Sequence, residues 1–64
     1  MTPEEFVDRA RRRGGLSVKG LSELSGIAYQ PLQRRLQGKT RFRLHEYLAL
    51  CVLLGLDPRG YQKG

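Results

Sequence analysis

Glycines divide this chain into four short segments and a tail, and each of the four segments carries apolar residues at helical spacing. The breaks fall at Gly14-Gly15, Gly26, Gly38 and Gly55. Glycine just beyond a periodic apolar stretch is typical of a helix end. No segment alternates apolar and polar residues as a half-buried strand would. The pattern therefore predicts an all-α fold, a compact bundle of four to five short helices, in one domain over residues 1–64.

Capping residues predict where these helices begin. Thr2, Pro3 and Glu5 form the signature of a capping box at the start of the first helix. Ser17 is the expected N-cap of the second helix, which ends before Gly26. The predicted helices span 3–13, 18–25, 29–37 and 43–54.

The core is predicted from the apolar face of each helix. The residues expected to point inward are Phe6, Val7, Ala10, Leu21, Leu24, Ile27, Leu32, Leu36, Leu44, Leu50, Cys51 and Leu54. Three further apolar residues, Leu48, Val52 and Leu53, exceed what such a core needs. Two explanations stay open: an exposed patch suited to a second copy, or packing under the tail, for instance against Tyr61. The tail, residues 59–64, is expected to be too short, flexible and polar to add much core.

The composition restricts the function. Twelve Lys and Arg against six Asp and Glu give a net charge of +6, which favours a polyanionic partner, nucleic acid or an anionic membrane. The longest apolar run, residues 48–54, is far below the ~20 residues of a membrane span. One cysteine and one histidine provide neither a disulfide nor a closed metal site, and no catalytic triad or acid pair is present. We therefore expect a cytoplasmic protein that is not an enzyme and has no cofactor.

Residues 17–37 form the most informative stretch. Two predicted helices meet at a tight turn through Gly26, with Ile27 filling the space between them. This arrangement would present the start of the second of these helices outward, towards a DNA major groove. Its polar residues suit that use, because Gln pairs with adenine and Arg with guanine in a bidentate way. A basic run follows it, with no acidic residue until Glu46.

The matching pieces that suggest a family are Leu16-Ser17, Leu21-Ser22-Glu23, Gly26-Ile27, Leu32, Gly38-Lys39 and Leu54-Gly55-Leu56-Asp57-Pro58. In register over residues 16–58, they resemble the Cro and repressor DNA-binding domains of lambdoid phages. The resemblance implies a lambda-repressor-like helix-turn-helix over about 17–37. It places base-reading residues at Tyr29, Gln30, Gln33 and Arg34. It places phosphate contacts at Ser17, Lys19, Gln37, Lys39, Thr40, Arg41 and Arg43.

Several positions depart from that family pattern, three of them in the reading helix or directly before it. Ala28 replaces the usual Ser or Thr before the reading helix, so its side-chain cap is lost. Pro31 disfavours a helical conformation at Gln30, which predicts a less regular first turn. Arg35 stands where many family members have an apolar residue, and Leu36 is expected to take over that packing.

The leading hypothesis is a sequence-specific double-stranded DNA-binding transcriptional regulator, such as a phage Cro or small repressor, that blocks transcription from its operator. It would bind half-sites singly, or a pseudo-palindrome as a homodimer formed on DNA or through the last helix and tail. The alternative is a protein-interaction module, antitoxin-like or adaptor, that uses the same bundle. RNA binding is a third hypothesis, but the aromatic residues are too few and scattered for stacking platforms.

Overall fold

The structure, a computed structural model, describes residues 1–63, with side chains for residues 1–62. It contains four α-helices: α1 (Pro3–Arg13), α2 (Val18–Ser25), α3 (Tyr29–Leu36) and α4 (Leu44–Leu54). A 3₁₀ helix, Gly60–Lys63, follows α4. The described residues form no strand, so the all-α prediction is confirmed. The predicted helix ends are correct within one residue, since Gln37 and Arg43 are caps rather than helical residues.

The caps of α1 form largely as the sequence predicts. The hydroxyl of Thr2 accepts a hydrogen bond from the Glu5 backbone N–H at 3.1 Å. The Glu5 carboxylate accepts from the Thr2 hydroxyl rather than from its backbone N–H, so the capping box is only partly formed. At the other end, the Arg11 guanidinium binds Asp8 and donates to the Leu16 carbonyl at 2.9 Å. Arg11 thus ties the end of α1 to the segment that enters α2.

The turn between α2 and α3 is held by local hydrogen bonds. Gly26 adopts the left-handed conformation, with φ at 76°, and donates its N–H to the Ser22 carbonyl at 3.0 Å. The Ser22 hydroxyl donates to the Ile27 carbonyl on the far side of the turn. A non-glycine residue at position 26 would be strained in this conformation, which accounts for the glycine that the sequence analysis singled out.

The start of α3 is more regular than Pro31 suggests. Ala28 makes no side-chain cap, as predicted. However, the Leu32 N–H donates to the Ala28 carbonyl at 3.1 Å, so the first helical turn is closed and contains Gln30. Pro31 is tolerated because it is the third residue of the helix, where its missing N–H would have no partner within the helix. The expectation of a less regular first turn is therefore wrong.

The core lies where the four helices meet. Its fully or nearly fully buried apolar residues are Val7, Leu21, Leu32, Leu36, Tyr47, Leu50 and Cys51. Phe6, Ile27 and Leu54 are partly buried and pack against or beside this cluster. The structure thereby confirms most of the predicted core, including the buried Cys51.

Two predicted core residues are exposed instead. The exposed fraction of Leu24 is 62% and that of Leu44 is 73%. The inward stripe of α2 runs through Val18, Leu21 and Ser25, and the helical spacing turns Leu24 away from it. Leu44 is the first residue of α4 and is not among the residues that pack against the core; Leu48 lies about one turn further along the same face of the helix.

The surplus apolar residues of α4 form a surface feature. Leu48, Val52 and Leu53 are exposed, with Val52 at 82%. Leu48 also lines a groove together with Tyr61 of the tail. The exposure of these three residues is therefore confirmed, and use of the patch by a second copy stays a prediction. The alternative of packing under the tail applies only to Leu48, in part.

The tail contributes more to the fold than expected. Tyr61 packs edge to face on Tyr47, with ring centroids 5.9 Å apart. The Tyr47 hydroxyl donates to the Pro58 carbonyl at 2.6 Å, which holds the chain that leads into the 3₁₀ helix. Gly60 lies so close to Phe6 that an added Cβ would come within 2.4 Å of its Cζ. The expectation of a tail with little role in the core is therefore wrong for Gly60 and Tyr61, whereas Arg59 and Gln62 are exposed, and Gly64 lies outside the described residues.

Candidate nucleic-acid interface

The surface of α3 opposite the core carries four polar residues. Gln30, Gln33, Arg34 and Gln37 recur at the three- and four-residue spacing of one helix face. Leu32 and Leu36 are buried on the opposite side. Within the described part of the chain, none of the four polar side chains makes a hydrogen bond or ion pair. Their donors and acceptors are therefore free to bind an external ligand.

Tyr29 lies at the start of this helix, at the border between the polar face and the core. Its side chain is 43% exposed, and its hydroxyl has no partner among residues 1–62. Three of the predicted base-reading residues, Tyr29, Gln30 and Arg34, are classed as exposed, and Gln33 is half-buried. All four are thus positioned by one short, regular helix, which fixes their relative directions.

The start of α2 offers backbone donors next to exposed polar residues. The Ser17 hydroxyl accepts from the Gly20 N–H at 3.0 Å, and the Ser17 carbonyl accepts from the Leu21 N–H at 2.9 Å. These bonds leave the N–H groups of Val18 and Lys19 without partners in the helix. Ser17 and Lys19 are exposed, and α2 packs directly on α3. Such a helix start favours an anion such as a phosphate.

Every residue predicted to contact phosphate after α3 is exposed. These are Gln37, Lys39, Thr40, Arg41 and Arg43. The turn that leaves α3 is closed by the Lys39 N–H, which donates to the Arg34 carbonyl at 3.0 Å. We call residues 37–43 the basic loop.

A buried carboxylate anchors the basic loop, and the sequence analysis missed it. Glu4 is only 7% exposed, and its Oε2 accepts from the Phe42 N–H at 2.8 Å. The Phe42 ring is half-buried, with its centroid 6.4 Å from that of Tyr47. The sequence analysis singled out Glu5 but not Glu4, because a contact across 38 residues has no local signal. The anchor holds the basic loop near its C-terminal end, while the cations of the loop are exposed.

The distribution of ion pairs leaves this surface positive. Asp8 pairs with Arg11 and Arg12, and Glu46 pairs with Arg35. Among residues 1–62, the cations of the candidate interface form no ion pair. They are Lys19, Arg34, Lys39, Arg41 and Arg43. Part of the net charge of +6 therefore lies on this surface, where it would attract a polyanion.

Arg35 belongs to the framework rather than to the interface. Its Nη1 lies 2.8 Å from the Glu46 carboxylate, and both side chains are largely buried. Glu46 also accepts from the Arg43 N–H at 3.0 Å, which caps the start of α4. An ion pair thus links α3 to α4 at this position. The Nε of Arg35 is buried without a partner in the described structure.

The Cys51 thiol and the Tyr47 hydroxyl belong to core residues and have a structural role. Burial raises the pKa of the Cys51 thiol and of the Tyr47 hydroxyl above their ordinary values, so both are neutral near pH 7. The described residues contain no cluster of three His, Cys, Asp or Glu side chains that could bind a metal ion. None of the helices described here is both long enough and apolar enough to cross a membrane.

Comparisons with known proteins add no relative. No protein-family model matches the chain, and neither the curated proteins nor the solved structures contain a significant match.

Proposed function

We propose that this chain is a sequence-specific double-stranded DNA-binding transcriptional regulator that reads the major groove with α3. The observation that carries the proposal is the polar face of α3, whose side chains make no hydrogen bond or ion pair among residues 1–62. The helix α2 packs on α3, and the basic loop follows α3 directly in the chain. The resemblance to Cro and repressor domains supports the same function. In a helix-turn-helix, the second helix lies in the major groove and the first helix crosses the DNA backbone.

The dimensions of α3 suit this role. An α-helix with its side chains is about 10–12 Å across, which fits the ~12 Å width of the B-DNA major groove. Arg34 would pair with the O6 and N7 atoms of a guanine, and Gln30 and Gln33 with the edges of adenines. Tyr29 would contact a base or sugar at the border of the groove.

Phosphate contacts would set the position of α3 in the groove. The free N–H groups and exposed side chains at the start of α2 would bind one phosphate, and the basic loop would bind the backbone beyond α3. Occupation of an operator would block transcription, in the cytoplasm of a bacterial cell. Binding as single chains to half-sites and binding as a homodimer to a pseudo-palindrome are both compatible with this surface.

The first experiment is selection of bound duplexes from a random DNA pool, followed by titrations of a selected and an unrelated duplex. Arg34→Ala should weaken binding to the selected duplex by about tenfold or more and affect the unrelated duplex less, because a bidentate base contact contributes ~1–3 kcal/mol of discrimination. Arg13→Ala is the matched control, since Arg13 is an exposed, unpaired arginine on α1 among the described residues. Equal losses for Arg34→Ala and Arg13→Ala, or equal affinity for both duplexes, would refute sequence reading.

Salt dependence tests the phosphate contacts separately. Five unpaired cations at the candidate interface predict a slope of log K against log salt of roughly −4 to −5 if all of them contact phosphates. Removing one of them, for instance by Lys39→Ala, should reduce that slope by about one. A slope near zero would rule out the proposed phosphate surface.

A protein-interaction module remains the second candidate, because Leu44, Leu48 and Val52 expose an apolar stripe on α4. A tight protein partner, combined with no effect of Arg34→Ala on DNA affinity, would favour this module over a DNA regulator.

A further inference from the structure

A groove lies between the start of α1, one side of α4 and the tail, away from the polar face of α3. Its volume is about 630 Å³, and its apolar lining includes Pro3, Phe42, Leu44, Leu48 and Tyr61. We call it the α1–α4 groove. Leu44 and Leu48 are 73% and 42% exposed, so the groove presents apolar surface to water. Exposed apolar surface that is concave and rimmed by polar residues is typical of a protein-binding site.

The apolar surface continues beyond the groove along α4. Leu44, Leu48 and Val52 follow one another at intervals of four residues, which places them in one stripe. The stripe covers eight residue steps, or about 12 Å of helix axis. This length matches about two turns of a partner helix whose own apolar residues recur at the same spacing.

Two arginines give the rim of the groove a positive charge. Arg41 and Arg59 both line it and are exposed, and neither forms an ion pair among residues 1–62. Asp57 accepts a hydrogen bond from the Arg59 backbone N–H and does not line the groove. Glu4 also lines the groove, but it is 7% exposed and one of its oxygens accepts from the Phe42 N–H. The charge that a ligand meets first is therefore positive.

These features favour an acidic partner over a second copy of this chain. A twofold dimer through the stripe would bring together two protomers that each carry a net charge of +6, with their arginine rims close to each other. A segment with apolar side chains on one face and carboxylates beside them complements both the floor and the rim. We propose that the α1–α4 groove binds an acidic amphipathic helix of a protein partner.

This partner would interfere with DNA binding, a consequence that rests on the proposed function. Arg41 belongs both to the rim of the groove and to the basic loop. A carboxylate paired with Arg41 would remove that cation from phosphate contact and place negative charge beside the DNA backbone. The groove thus provides a site at which an acidic protein releases the chain from DNA.

The test uses a designed, labelled peptide of about 15 residues, with leucines at helical spacing and glutamates elsewhere. A second peptide replaces every glutamate by lysine. In fluorescence anisotropy without DNA, the acidic peptide should bind the full chain about tenfold more tightly than the basic peptide, or better. Equal affinity for both peptides, or no binding of the acidic one, would overturn the proposal.

Variants locate the binding site. Leu48→Glu and Arg59→Glu should each weaken binding of the acidic peptide by about tenfold or more. The first introduces a charge into the apolar floor of the groove, and the second reverses a charge on its rim. Leu24→Glu and Arg13→Glu are the matched controls, since these residues are exposed and lie outside the groove. All four variants change exposed side chains, and circular dichroism would verify their folding. Equal effects of the groove variants and the controls would place the peptide elsewhere.

Two further measurements separate the outcomes. Sedimentation of the chain alone shows whether it forms a dimer. A stable dimer that is lost on Leu48→Glu, together with no peptide binding by the monomer, would mean that the groove binds a second copy and not an acidic partner. Competition with a labelled duplex tests the link to DNA, where saturating acidic peptide should weaken DNA binding several-fold. If the chain bound no DNA, the proposed function would fail, while peptide binding at the groove would still be measured in the DNA-free titration.

Discussion

Removing the carboxylate of Glu4 should destabilise the protein and weaken its DNA binding at the same time. In Glu4→Ala, the Phe42 N–H loses its acceptor at 2.8 Å, and α1 loses its hydrogen bond to the basic loop. Because this bond joins residues 38 positions apart, nothing local replaces it. The loop cations would then sample more conformations, and ordering them on DNA would cost additional entropy.

The size of the effect follows from the burial of Glu4. A hydrogen bond to a charged group contributes about 1.5–3 kcal/mol, and at 7% exposure water screens this one little. The buried Cγ methylene contributes about 0.8 kcal/mol more. Two gains offset part of this loss: the variant no longer has to bury a carboxylate, and alanine has a better helix propensity than glutamate. The free energy of unfolding should therefore fall by about 2 kcal/mol, which lowers the Tm of a domain this small by roughly 8–16 °C.

Thermal unfolding followed by circular dichroism measures this change, and Glu5→Ala is the matched control. Glu5 carries the same charge in the same helical turn, but it is exposed and bonds only to Thr2. Its loss should cost about 0.5 kcal/mol. Glu4→Gln keeps an acceptor and should fall between the two alanine variants. If Glu4→Ala and Glu5→Ala lowered the Tm equally, the hydrogen bond between Glu4 and the basic loop would contribute nothing measurable to the free energy of unfolding.

Three further outcomes are expected. Tyr47→Phe should lower the free energy of unfolding by about 1 kcal/mol in urea titrations, since the Pro58 carbonyl loses its donor; an unchanged midpoint would contradict this. Arg35→Ala should cost about 2 kcal/mol, whereas Arg35→Met with Glu46→Gln should recover at least half of it, because that pair leaves no unpaired charge and keeps the cap of α4; a double variant as unstable as Arg35→Ala would refute this account. Burial raises the pKa of the Cys51 thiol above 9.0, so its contribution to stability is present below pH 9 and is lost as the pH rises further. Cys51→Ala should reduce the fall in stability above roughly pH 9 by up to about 1.4 kcal/mol per pH unit, and equal alkaline slopes for both proteins would exclude the thiol as the cause.

The local parts of the fold could be predicted from the sequence, because caps act over a few residues. Ser17, Gly26 and Gly55 mark helix ends in the structure where the sequence places them. The polar face of α3 was predictable for the same reason, since helical spacing fixes it relative to Leu32 and Leu36.

Features that depend on how the helices rotate and meet were not predictable. Leu24 and Leu44 are exposed because other residues of their helices take the inward positions. Glu4 and Tyr61 were missed because each contacts a residue far away in the chain. The missing information concerns tertiary contacts, and in the candidate interface it affects the anchoring of the basic loop rather than the residues that project from it.

The contact between Gly60 and Phe6 predicts pairwise epistasis. A Cβ at position 60 would lie 2.4 Å from the tip of the Phe6 ring, so the residue tolerated at one position depends on the size of the other. In a library that randomises both positions, Gly60→Ala should be depleted beside the native phenylalanine and recover in combination with Phe6→Leu. Selection at the first helix and at the tail would then be correlated, although the two positions lie at opposite ends of the sequence.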